Sequence, residues 1–370
     1  MASYFFIAFL IIGITLNGAF QSVVIPILDT HYQSIYFILV SSSAQFCLCF
    51  AIIYLCKVRN NIRRPKNLWT LIIAGIFNGL MSVSLIYSSD PTRTPVVLQS
   101  ILSGIVILPS VVWTKLILNK KVSYTGKYTI PSIISLILAV TISTIPLYTD
   151  WQWSSGIWIL VFITGTIFRS LFNIFQEKYF IDTKDTSLNN KITNVFYIRL
   201  IHFLVTVSFF WLEFLIGYTN NPLHDFVASM HTFIKNPIQM GLLEGFVLSY
   251  IILYILGAYL NTISANYNMI TAVAATPANA VFFTIFSKLN PGIQYPLYII
   301  IPSLLLAMAS IMLWVKGENN DSKEQQLSLQ SDNQKSDSTC CNEADSHFIT
   351  LLIDKILCGH CCKEYEYQTL

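Results

Sequence analysis

From Thr94 to Lys121 the chain reads TPVVLQSILSGIVILPSVVWTKLILNKK. This stretch carries no charge before Lys115, so its uncharged run has the length of a helix that crosses a bilayer core, about 20 residues. Gln99, Ser100, Ser103, Gly104, Pro109 and Ser110 lie inside it. Lipid does not solvate such groups, so they are expected to face other helices or a wet cavity. A polar turn, Ser88 to Arg93, precedes the stretch, and Lys115, Lys120 and Lys121 close it.

Outward from this stretch the pattern recurs. Hydrophobic runs cover 4–26, 33–56, 68–88, 95–118, 129–148, 155–175, 195–217, 239–260, 267–287 and 294–315. Of the 370 residues 54% are hydrophobic and 11% charged, against about 25% charged in a soluble domain. Helices are the only open-ended structure that satisfies its own backbone in lipid. The expectation is an all-α polytopic membrane protein with ten transmembrane helices. The net charge of +3 is too small to suggest nucleic acid. The first 25 residues lack a basic leader and a convincing cleavage site, which reads as a first span rather than a signal peptide. Walker A, HExxH and GxSxG patterns are absent, so neither an ATP-driven pump nor an enzyme is expected, and no cofactor or metal is implied.

The loops orient the chain. Lys57, Arg59, Arg63, Arg64 and Lys66 follow the second run, Lys115, Lys120, Lys121 and Lys127 the fourth, and Lys178, Lys184 and Lys191 the sixth. The alternate loops hold only Arg93, Lys235 and Lys288. The positive-inside rule then places both termini in the cytosol. The longest non-cytosolic loop, Tyr218 to Ile238, spaces Leu223, Phe226, Val227, Met230 and Phe233 as on a helix between Pro222 and Pro237. A short amphipathic helix on the membrane face is expected there. His224 and His231 flank Asp225 and read as solvated surface histidines, with a pH sensor or metal ligand as the alternative.

Five runs precede residue 148 and five follow. Trp113-Thr114-Lys115-Leu116 and Phe286-Ser287-Lys288-Leu289 end the fourth and ninth runs alike. An odd number per half inserts the second half upside down, so residues 1–148 and 149–317 are expected to be inverted repeats with a site between them.

Ionisable groups at membrane depth default to functional hypotheses. Arg169 and Glu177 lie in the sixth run, Arg199, His202 and Glu213 in the seventh, and Glu244 in the eighth, while every Asp falls in loops or the tail. Arg199 and His202 share a helix face, and Glu213, three turns on, falls close to it. Either these groups line a charged cavity, with Glu213 or Glu244 exchanging protons, or those near helix ends snorkel to the interface. Asn17, Gln45, Asn78 and Gln99 form an uncharged polar set that either packs helices together or lines a substrate path. The ninth run, from Thr271 through Pro277, is rich in small residues and suits a kinked helix beside that path, with Thr271 on the cavity.

The five-plus-five arrangement resembles the drug/metabolite transporter superfamily. Within it, Thr94-Pro95-Val96-Val97-Leu98-Gln99, Ile107-Leu108-Pro109 and Lys115-Leu116-Ile117-Leu118 are similar to the fourth helix of the chloroquine-resistance-transporter-like branch. Gly126-Lys127-Tyr128 departs from that branch's start of the fifth helix, and its paired cysteines between helices seven and eight are missing. The resemblance implies a proton-driven or electrochemically driven carrier of an endolysosomal or vacuolar membrane. Its solutes would be amino acids, short peptides, thiols or cationic drug-like compounds. Nucleotide-sugar or other phosphate-metabolite exchangers of the same superfamily are the nearest alternative, and a non-transporting scaffold is the next.

After Gly317 the sequence turns polar, and 318–370 is expected to be a disordered cytosolic tail. It ends Tyr367-Gln368-Thr369-Leu370, which resembles a tyrosine sorting signal read by a cytosolic adaptor, with Tyr367 and Leu370 as anchors. Cys358, Cys361 and Cys362 beside an apolar patch suit palmitoylation, with free thiols or zinc as alternatives.

Overall fold

The computed structural model describes residues 2–58, 65–90, 92–119, 127–145, 153–265 and 296–317 other than 311 and 315, together with 268, 269, 282, 285 and 286. Among the described residues there is no strand. The helices are α1 (Ala2–His31), α2 (Ile35–Val58), α3 (Leu68–Ser88), α4 (Val96–Ser103), α5 (Ile107–Leu118), α6 (Thr129–Thr144), α7 (Trp153–Thr183), α8 (Leu188–Ser208), α9 (Leu212–Leu215), α10 (Pro222–Lys235) and α11 (Pro237–Asn261). A twelfth, α12, spans Leu297–Trp314.

Seven described stretches are long and apolar enough to cross a membrane: those in α1, α2, α3, α4–α5, α7, α11 and α12. Ten were expected from the hydrophobic runs. The difference has three sources. α6 has only 16 residues. The ninth run, including Thr271, lies almost wholly outside the described residues. α8, with 21 residues, is as long as a spanning helix, about 30 Å at 1.5 Å per residue, but it carries Lys191, Asn194, Arg199 and His202. Its position explains that composition: α8 packs mainly on α2 and α3 and also touches α11, so protein rather than lipid surrounds much of it.

The bundle is apolar outside and polar within. Phe9, Ile12, Leu16 and Phe20 form an exposed stripe on α1, and Leu297, Ile301, Leu305 and Met312 form another on α12. Gln21, Asn78, Gln99, Gln176, Asn194, Arg199 and Asn261 are all buried. This is the polarity a lipid solvent selects. In lipid, helices associate through close packing and hydrogen bonds rather than apolar burial. The Gly75-Ile-Phe-Asn-Gly79 stripe of α3 shows the packing. A Cβ on Gly79 would stand 2.6 Å from Val205 Cγ1, and one on Gly75 would stand 2.5 Å from Ile201 Cβ. Only glycine lets α8 approach that closely.

The stretch from Val96 to Leu118 is helical but not one regular helix. Gly104–Val106 tightens to a 3₁₀ turn between α4 and α5. Pro109 sits at the third position of α5, where its missing N–H and its ring act on the carbonyl four residues back, within that turn. Leu102 and Val106 stay buried through the break.

The amphipathic helix expected from Pro222 is α10. Asn221 caps it by accepting the His224 backbone N–H. Its apolar residues divide between two faces. Phe226 and Phe233 pack on Phe37, with ring centroids 5.4 and 6.1 Å apart. Leu223, Val227, Met230 and Ile234 remain exposed on the outer side.

Two acidic groups lie elsewhere than the sequence suggested. α8 stops at Ser208, so Glu213 stands on the separate turn α9 and not on the face of His202. There it accepts the Ser34 hydroxyl at 2.9 Å and the Tyr36 backbone N–H at 2.7 Å. The free N–H groups at the start of α2 attract a carboxylate, which accounts for the placement. Asp29, expected in a loop, belongs to α1, because that helix continues through Pro26 to His31. It is 5% exposed, accepts the Ser89 hydroxyl at 2.9 Å, and its other oxygen has no partner among the described residues.

Candidate functional site

α1, α3, α4, α7, α8 and α11 enclose a hollow of ≈ 140 Å³. Its wall is apolar over Ile25, Met81, Leu85, Phe162, Phe172 and Leu253, and polar at Gln21, Ser89, Gln99, Arg169, Arg199 and Tyr250. α3 packs closely on α7 and α8, and all three helices line the hollow. Gly165 of α7 comes so close to α3 that a Cβ would meet Leu85 Cδ2 at 2.8 Å. That contact and the Gly75–Gly79 stripe hold the three helices together and bring Arg169 and Arg199 to one space.

The two arginines are the charges of the hollow. Arg199 is 1% exposed. Its guanidinium carbon lies 3.2 Å from the centre of the Tyr254 ring and 5.6 Å from that of Phe172, so the aromatic faces take its flat side. One terminal nitrogen reaches His202 Nδ1 at 3.4 Å, and Nε has no partner. Among the described residues neither Arg169 nor Arg199 forms an ion pair with a carboxylate. Arg169 shares the lining of the hollow with Tyr250 and Tyr254.

Next to this charged part lies a lattice of amides. Asn261 donates to Asn173 Oδ1 at 3.0 Å and to Gln176 Oε1 at 2.6 Å. Asn268 donates to Asn173 at 3.1 Å and to Asn261 at 3.0 Å. Gln176 donates to Asn194 at 2.6 Å, and Asn173 donates to the Arg169 carbonyl at 3.0 Å. The lattice ties α7, α8, α11 and the chain beyond it together at the end of the bundle that holds the α7–α8 turn. Asn173, Gln176 and Asn268 also face the hollow. At the opposite end Gln99 donates to the carbonyls of Ser89 and Thr94, at 2.7 and 2.6 Å, and Ser89 in turn holds Asp29.

The residues singled out in the sequence divide accordingly. Gln99 and Arg169 line the hollow. Asn17 is bound into the α1–α11 contact, donating to the Gly13 carbonyl at 2.7 Å and accepting from Ser249 at 3.1 Å. Gln45 donates to Glu244 at 3.0 Å, joining α2 to α11, and neither borders the hollow. Asn78 is fully buried on the glycine face of α3, and its amide atoms have no partner among the described residues. Glu213 caps α2. Thr271, Cys358, Cys361, Cys362, Tyr367 and Leu370 lie outside the described residues. The sequence reading passed over Asn173, Gln176, Asn194, Asn261 and Asn268. Their signal was present: amides at Asn173 and Gln176 share a helix face with Arg169 at spacings of four and seven.

Searched against known protein families the chain matches none, and no curated protein matches it in sequence.

Proposed function

We propose that the protein is a secondary transporter of small organic solutes, of the drug/metabolite type. The observation that supports it best is a polar, charged hollow enclosed by six helices of a bundle whose outer face is apolar. A helix bundle in lipid gains nothing from an interior guanidinium unless something in the interior uses it.

The helix pairing supports the inverted five-plus-five architecture. Counting α4–α5 as one element, the halves relate α1 to α7, α2 to α8 and α3 to α11. Under that exchange the α1–α11 contact becomes the α7–α3 contact, and the α2–α8 contact maps onto itself. All three are among the most extensive helix contacts in the bundle. Ten passes follow if α6, α8 and the run 267–287 each cross, and alternating access is then rocking of one half against the other around the hollow. The described geometry favours Asp29 over Glu213 and Glu244 as the proton-coupling group. Its half-satisfied carboxyl reaches the hollow through Ser89, while the other two acids are occupied in capping α2 and joining α2 to α11. The basic loops and the Tyr367–Leu370 ending favour cytosolic termini and an endolysosomal or vacuolar membrane.

The test is an uptake screen in liposomes carrying the purified chain, with and without a pH gradient, beside cysteine-accessibility mapping at Gln99 and Ser103. Gradient-dependent uptake and reaction of both positions with aqueous thiol reagents is the expected result. No uptake together with shielded positions would leave a scaffold with a dry interior.

A further inference from the structure

We propose that the solute is an organic anion whose carboxylate or phosphate group is held between Arg169 and Arg199; this rests on the transporter reading above. Both arginines border the same hollow, and none of the nearby acids pairs with either of them among the described residues. Glu177 accepts the Ala265 backbone N–H, Glu244 the Gln45 amide, Glu213 the start of α2, and Asp29 the Ser89 hydroxyl, at the Arg93 end of the bundle. An uncompensated buried cation is costly, and a bound oxyanion offsets that cost.

The orientation of Arg199 adds to the argument. Tyr254 covers the face of its guanidinium and His202 Nδ1 approaches one terminal nitrogen, so the unpartnered Nε side of the N–H edge is left to donate. A planar fork stacked on its face and free at its edge is the arrangement that binds a carboxylate or phosphate through two parallel hydrogen bonds. The rest of the lining mixes apolar side chains, Ile25, Met81, Leu85, Phe162 and Leu253, with the uncharged polar groups of Gln21, Ser22, Gln99 and Ser103. Its apolar side chains accommodate the carbon body of an organic anion, which an inorganic ion lacks. The cationic compounds implied by the family resemblance would meet two like charges here.

The experiment measures the thermal stability of the full chain in detergent with millimolar pools of organic carboxylates, organic phosphates, amines and neutral sugars. The expected result is stabilisation by one or both anion pools, which also distinguishes carboxylate from phosphate. Apparent affinity for the active pool should fall at least tenfold in Arg169→Gln and Arg199→Gln. Arg169→Lys and Arg199→Lys, which keep the charge and lose the fork, should fall less. Stabilisation by amines or sugars alone overturns the anion assignment and leaves the transporter reading standing. Anion stabilisation undiminished in all four variants places the anion elsewhere and overturns the proposal. A chain stabilised by no pool, whose hollow is also shielded from thiol reagents, overturns both readings.

Discussion

The amide lattice, on α7, α8 and α11, and the arginine pair, on α7 and α8, lie side by side, and most of their polar groups are buried in an apolar bundle. In the lattice Gln176, Asn261 and Asn268 donate to other side-chain amides and Asn173 to the Arg169 carbonyl, with Asn194 Nδ2 alone lacking a partner among the described residues, and four of its five residues come from three neighbouring helices. Arg199 has the faces of Tyr254 and Phe172 and one histidine nitrogen, and among the described residues neither arginine has a carboxylate partner. A satisfied buried network rigidifies the elements it joins. An unsatisfied one keeps binding capacity in reserve for something outside the chain. On the proposed function the lattice would be the fixed end of the hollow and the arginines its binding surface.

The largest expected effect tests the first half of that contrast. Asn261→Leu removes two donated hydrogen bonds and one accepted from Asn268. It leaves the Gln176 carbonyl without its donor, a loss of about 2–4 kcal/mol. Unfolding of the purified chain in detergent should show it as a clear drop in midpoint. An unchanged midpoint would mean that the lattice fixes nothing.

Arg199→Met is expected to move stability the other way. Replacing an unpaired buried charge by an apolar chain of similar volume is neutral to stabilising, by about 1–4 kcal/mol. Solute uptake should be lost in the same variant. A variant as unstable as Asn261→Leu would place Arg199 with the structural groups and erase the contrast between the two regions. Gly79→Ala sharpens it from a third side. The added Cβ meets Val205 at 2.6 Å, and overpacking of this kind costs about 1–3 kcal/mol. If glycine contact rather than charge seats α8, this loss appears without any change in solute selectivity.

These residues also show what could be read from the chain alone. The boundaries of α3 and the existence of α10 follow from local hydrophobic spacing and from Pro222, Asn221 and Pro237, all near in sequence. The Arg199–His202 contact follows from a spacing of three. The amide lattice does not, because Asn173 and Asn261 are 88 residues apart and an asparagine in a helix gives no hint of its partner. Glu213 misled for a related reason. No glycine or proline marks the end of α8 at Ser208, and what draws the carboxylate away is the start of α2, 177 residues earlier. The seventh run reads as a span from its apolar part, 195–217, whereas the reason for the polar groups along α8, its contacts with α2, α3 and α11, is revealed only by the packing.

The smallest expected effect carries the satisfied-versus-unsatisfied distinction to the surface. Asp225, in the first turn of α10, accepts the Thr219 hydroxyl and approaches His224 Nδ1 at 3.1 Å. The Thr219 hydrogen bond foremost, and then the one from His224, hold its carboxyl below the usual carboxylate range. A carboxyl depressed below its unfolded value of about 3.9 contributes fully above that pH and loses its contribution as pH falls through the folded value. The anchorage of α10 should therefore be constant from pH 8 to 5 and weaken only below about 4. The exposed position limits the effect to under about 1 kcal/mol. Hydrogen exchange of the His224–Val227 amides, corrected for intrinsic rates, measures it directly. Protection that falls between pH 7 and 5 would place the control of α10 in a histidine, and Asp225→Asn, which should loosen the turn equally at pH 7 and 5, separates the two.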